Sequence, residues 1–108
     1  MENTNEKISA VVDALELIKE KLKSSKTNLL HSSFNTKEDI ISELNNHILK
    51  LQNENFSNIE KLIILFAPTS DLQEISIDSG WGQLFLTISK KFDSAVKDLI
   101  EEFNIKPF

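Results

Sequence analysis

Apolar residues recur at helical spacing along most of this chain. Ile8, Val11, Val12, Leu15, Ile18 and Leu22 line one side of a 3.6-residue helix. Asn3 is the expected N-cap, with Glu6 reaching back as a capping box, and the helix frays through Lys23-Ser24-Ser25-Lys26, where lysines suit the helix dipole. Residues 27–35 form a connector whose Leu29, Leu30 and Phe34 are apolar enough to pack back onto the body of the molecule. Thr36 then caps a second helix, with Ile40, Ile41, Leu44, Ile48 and Leu51 as its stripe, fading over residues 52–55. Ser57 and Glu60 make another capping box for a third helix over about residues 58–67. Residues 62–67 are apolar on every side, which suits a covered helix or a buried strand. The box and the flanking Ile59 favour helix, and Pro68 ends it.

Ser70, with Gln73 three residues later, opens a short helix through about Ile77, in which Leu72, Ile75 and Ile77 point inward. Ile75-Ser76-Ile77 also alternates like a short strand, so both forms stay open here. Asp78-Ser79-Gly80 terminates the segment, glycine being free to take positive φ. The last helix has the longest register: Trp81, Leu84, Phe85, Ile88, Phe92, Ala95, Val96, Leu99, Ile100 and Phe103, with Ile105, Pro107 and Phe108 as an apolar tail. The expected fold is all-α, a compact bundle of four principal helices plus one short helix, formed by residues 1–108 as a single helical domain.

Composition sharpens this picture mainly by exclusion. The absence of Cys removes disulfide scaffolds, thiolate metal sites and cysteine nucleophiles, and fits a cytoplasmic protein. The polar N-terminus is no signal peptide, and residues 62–67 are too short a run to span a bilayer. All 12 basic residues are Lys and the net charge is −5, so neither the Arg chemistry nor the electrostatic drive of nucleic-acid binding is present. Residues 1–36 and 90–108 are each neutral; the acidity lies between them, at −2 over residues 37–67 and −3 over residues 68–89.

Candidate chemistry is sparse. His47 lies beside the second stripe and one turn from Glu43, but no further His or Cys stands at ligand spacing, so a half-packed boundary histidine is the preferred reading. His31, next to Ser32 and Ser33, lacks an oriented base and an oxyanion hole. Glu38 with Asp39 and Glu101 with Glu102 read as dipole partners or solvated pairs, and the lysines at 19, 21, 23 and 26 as a solvated helix end. No metal, cofactor or catalytic set is expected. Two features of residues 65–85 remain. Asp71, Glu74 and Asp78 fall one turn apart and would make an acidic ridge on the short helix, read first as a solvated face and second as a binding surface. Gly80-Trp81-Gly82 places the single Trp either in the core, in register with Leu84, Phe85 and Ile88, or at a partner surface.

On size, acidity, helicity and the acids Asp71, Glu74 and Asp78 near Trp81, the chain resembles the small acidic all-α immunity proteins of bacterial toxin systems. The resemblance is one of class and carries no motif. It implies a non-catalytic inhibitor that neutralises a basic, possibly nuclease, toxin, with Asp71, Glu74, Asp78 and Trp81 as partner-binding residues, and no nucleic acid or membrane as partner. The alternative is a homo-oligomeric or adaptor protein using an apolar patch around Phe34, Phe56 or Phe108. A carboxylate pocket inside the bundle is a third idea, requiring an internal cavity with buried acids.

Overall fold

The computed structural model describes residues 5–24, 29, 34–67 and 70–106. Within them the chain forms α1 (Glu6–Ser24), α2 (Lys37–Gln52), α3 (Ile59–Leu65), α4 (Asp71–Asp78) and α5 (Gly82–Phe103), and no strand. The all-α expectation holds, and the strand alternatives for residues 62–67 and 75–77 do not. The five helices are loosely consistent with the expected four plus one, with α3 and α4 both short.

Helix α5 is the axis of the molecule. At a rise of about 1.5 Å per residue its length is roughly 33 Å, against a longest molecular extent of 37 Å. Its apolar face, Phe85, Ile88, Phe92, Ala95, Val96 and Leu99, is buried, and it packs most extensively on α1, then on α4. Helix α1 runs antiparallel to it: the Asn5 side-chain amide at the start of α1 donates to Glu102 near the end of α5 at 2.7 Å. Helix α2 packs on α1, burying Ile40, Leu44, His47, Ile48 and Leu51. One continuous core joins the five helices.

An aromatic cluster pins the short helices to this axis. Phe66, directly after α3, is 2% exposed and stacks on Phe92 at 4.0 Å between ring centroids, with Phe85 at 6.1 Å on the same helix. The Ser89 hydroxyl donates to the Phe66 carbonyl at 3.2 Å, satisfying a backbone group that the end of α3 leaves open. On the other side of α3, Phe56 meets Phe103 at 4.9 Å and so ties the α2–α3 connection to the end of α5. Phe34 and Leu29 from the first connector pack partly buried against the core, as their apolarity suggested.

Local signals explain most boundaries. The Thr36 hydroxyl accepts from the Asp39 amide at 3.1 Å and the Ser70 hydroxyl from the Gln73 amide at 3.3 Å, the two caps expected of them. Gly80 takes φ +89°, and Asn104 closes α5 in the left-handed region. Elsewhere the caps differ from expectation. Asn5 precedes α1, its side chain accepting from the Lys7 amide at 2.7 Å; the expected cap, Asn3, lies outside the described residues. The Ser57–Glu60 box does not form. Helix α3 starts one residue later, with Asn58 at the cap position and no side-chain cap bond, because Asn55 takes the Ser57 amide at 3.1 Å and draws that residue into the preceding turn. At its other end α3 stops at Leu65, two residues short of 67, where Phe66 turns toward α5.

Truncating Phe92 to Ala removes the ring on which Phe66 stacks and leaves a cavity at a fully buried position. The expected loss is about 3–5 kcal/mol in urea unfolding, whereas Leu49→Ala, at a position 57% exposed, changes stability by less than about 0.5 kcal/mol.

Candidate functional site

The acidic ridge is carried by α4. Ser70 caps the helix, and Asp71 and Glu74 sit in its first turn, where negative charge is stabilised by the unpaired amides and the dipole. Asp78 is different: it occupies the last turn, which has no basic residue and where the dipole disfavours an anion. All three acids are half-buried. The inward face is Leu72, Ile75 and Ser76, the Ser76 hydroxyl being satisfied within the helix by the Gln73 carbonyl at 2.7 Å. Ile77, expected inside, is instead 54% exposed, because its position lies about 100° of helix beyond Ser76, on the side away from Leu72 and Ile75. The ridge therefore has an apolar neighbour on the same helix.

A groove lies on each side of α4. One, of about 530 Å³, is bounded by Asp71 and Ser70 with Phe34, Glu43, Lys61 and Ile64, and Ile64 is 53% exposed. The other, of about 680 Å³, runs between Gln73 and Ile77 of α4, Lys21 of α1, and Gln83, Leu84 and Leu86 at the start of α5. Leu84 and Leu86 are 43% and 45% exposed; Leu84, placed in the α5 stripe by its spacing, belongs to this open wall instead. Glu74 and Asp78 line neither groove. The structure thus keeps Asp71, Glu74 and Asp78 along one helix but shares only Asp71 with a groove.

Trp81 falls on the core side of its two alternatives. It is 5% exposed, precedes α5 as its cap residue without a side-chain cap bond, and is among the residues lining the larger groove. Its indole Nε1–H is buried with no hydrogen-bond partner among the described residues. Gly82 beside it allows close approach of α4: a Cβ there would meet Ile77 Cγ1 at 3.1 Å. A buried ring in this place closes the α4–α5 corner and does not present an anchor to solvent.

A third concave region went unnoticed in the sequence. His47 is 6% exposed, deeper than a half-packed boundary residue. It forms part of a cleft of about 390 Å³ between α2 and α3, with Asp39, Glu43 and Lys50 from α2 and Asn58 and Lys61 from the α3 side. Its Nε2 is 3.6 Å from the Glu43 carboxylate, the one-turn neighbour that its spacing indicated. Burial lowers the His47 pKa below its ordinary 6.5; Glu43 opposes that, and Lys50 and Lys61 add to it. The signal in the sequence was the run Asp39, Glu43, His47, Lys50 at three- and four-residue spacing. The partner helix bringing Lys61 across was not readable from it.

The remaining candidates are structural where they are described. Lys19, its side chain mostly covered, pairs with the exposed Glu16 at 3.2 Å, and Phe34 and Phe56 are occupied against the core. His31, Ser32, Ser33 and Phe108 lie outside the described residues. Among the described residues no acid is buried, no three metal-ligating side chains converge, and no helix is long and apolar enough to cross a membrane.

Two outcomes follow. Trp81→Ala costs about 3–5 kcal/mol of stability, but Trp81→Phe about 1 kcal/mol or less, since ring volume is lost in the first and no hydrogen bond in the second; urea unfolding of both variants separates these contributions. His47 binds its proton less readily folded than unfolded, so stability falls as pH drops below 6.5 through the lowered folded pKa. His47→Leu flattens that part of the stability–pH curve relative to wild type, and leaves the slope above pH 7 about unchanged.

Comparison with known proteins finds no matching family model, no matching curated protein and no matching solved structure.

Proposed function

We propose that this protein is a non-catalytic binding module whose partner is a basic protein, engaged through α4. The observation that carries this reading is the pairing of Asp71, Glu74 and Asp78 with the exposed Ile77 on one short helix flanked by open, partly apolar grooves. Interfaces combine these elements: apolar contact supplies affinity, and complementary charge steers encounter and rejects wrong partners. Trp81 supports the surface from behind, holding the α4–α5 corner in shape. In its sharpest form the proposal is an immunity-type inhibitor: a small acidic helical protein in the cytoplasm of the cell it protects, covering the active site or an adjacent surface of a basic toxin.

The test uses the product of a toxin gene lying beside this one. For wild type, stopped-flow association slows at least tenfold between about 50 and 200 mM salt. The triple variant Asp71→Lys, Glu74→Lys, Asp78→Lys associates about 10–1000 times more slowly at low salt and loses most of the salt dependence. An unchanged on-rate in the triple variant, or a neighbouring gene product that is no toxin and does not bind, removes the proposal in this form.

A further inference from the structure

The α2–α3 cleft has a construction that the α4 surface does not share. Its α2 wall is a polar stripe, and the charge along that stripe changes sign: Asp39 and Glu43 toward the N-terminus, Lys50 in the last turn. Glu43 and Lys50 are separated by about 10 Å along the helix axis. Lys61 closes the cleft from α3, and the side chain of Asn58 stands at its Lys50 end without capping α3. At about 390 Å³ the space lies within the range of small-molecule sites.

The dipole of α2 accounts for acids at one end and a lysine at the other. It does not account for the rest. His47 occupies a buried position in the middle of the stripe where a leucine would pack without desolvation cost. Its nearest carboxylate, at 3.6 Å, is beyond a good direct hydrogen bond. Neither Lys50 nor Lys61 takes part in an ion pair among the described residues, so two ammoniums from facing elements border one recess beside a buried imidazole. The lining is balanced, two carboxylates against two ammoniums; along α2 the acids stand toward one end and Lys50 at the other, while Lys61 faces them from α3 and also lines the next groove with Glu43. That layout is complementary to a dipolar solute and not to a simple anion or cation.

We propose that this cleft binds a small dipolar molecule of the amino-acid class, with a cationic amine or guanidinium toward Glu43 and Asp39 and a carboxylate toward Lys50 and Asn58. Lys61 flanks the middle of the ligand, and His47 forms the floor on which it rests. The length between the charged ends favours an amino acid whose second cation is on an extended side chain, and guanidinium matches a carboxylate in planar, two-point geometry. The site adjoins the α4 surface, since Glu43 and Lys61 also line the groove beside Asp71.

The probe is L-arginine, titrated into the full chain and followed by ¹H–¹⁵N correlation spectra. Saturable shifts confined to Asn46, His47, Lys50, Asn58 and Lys61 are expected, with a Kd in about the millimolar range or tighter. Argininamide, which lacks the carboxylate, binds about tenfold more weakly, as does arginine to Lys50→Gln or Glu43→Gln. The spectra of these variants report directly that they are folded. No saturable shift at concentrations of about 20 mM, shifts scattered over the acidic surface, or equal affinity in wild type and both variants overturns the proposal.

Discussion

The placement of Phe66 on α5 is the contact on which the arrangement of the short helices depends. Helix α3 has seven residues and α4 has eight, lengths at which isolated helices do not form in water. What fixes them is tertiary: the Phe66 ring lies between Phe85 and Phe92, and Ser89 holds the Phe66 carbonyl. With the end of α3 pinned to the middle of α5, the chain has little latitude before Ser70 caps α4. Leu72 and Ile75 then seat α4 on the core, and Trp81 with the glycines on either side returns the backbone to α5. The direction in which Asp71, Glu74 and Asp78 face is therefore set by an aromatic contact that none of them touches.

The long helices were legible because their faces repeat. The stripes of α1, α2 and α5 are buried nearly as their spacing dictates, and Thr36 and Ser70 cap where their side chains lead one to expect. Legibility ended where two local signals competed or where burial depended on a distant partner. Ser57 had the right spacing to cap α3 but is held in an Asn55 turn. Ile77 and Leu84 had apolar character and acceptable register, yet both face a groove whose opposite wall, Lys21, comes from α1. Sequence spacing identifies a face, but on an eight-residue helix the neighbours decide which edge of that face is covered.

The candidate site divides along the same line. That Asp71, Glu74 and Asp78 share one side of a helix was readable at once, and so was the proximity of Glu43 to His47. That Asp71 borders a groove with Ile64 while Asp78 does not, and that Lys61 crosses to His47, required the α3–α4 corner in three dimensions. Trp81 was ambiguous for a physical reason: a Trp at a helix start serves equally as a corner of the core or as an interface anchor, and only its burial separates the two.

Three polar groups in the interior show how differently this fold treats burial. Ser76 is fully buried and costs little, because its hydroxyl returns to the Gln73 carbonyl within the same turn. The Trp81 Nε1–H is buried without a partner, a cost offset by the area its ring covers. His47 is a third case: its ring is buried, but its nitrogens are not sealed off without a partner, and Nε2 stands 3.6 Å from the Glu43 carboxylate. Burial, with Lys50 and Lys61, disfavours its proton, and Glu43 opposes them. A core designed only for stability would place Leu at this position, so the histidine is better understood from the cleft it faces than from the core behind it. Under the proposals made for them, the acidic α4 helix suits a macromolecular partner and the charge-balanced recess a small one, and the two regions meet at Glu43 and Lys61.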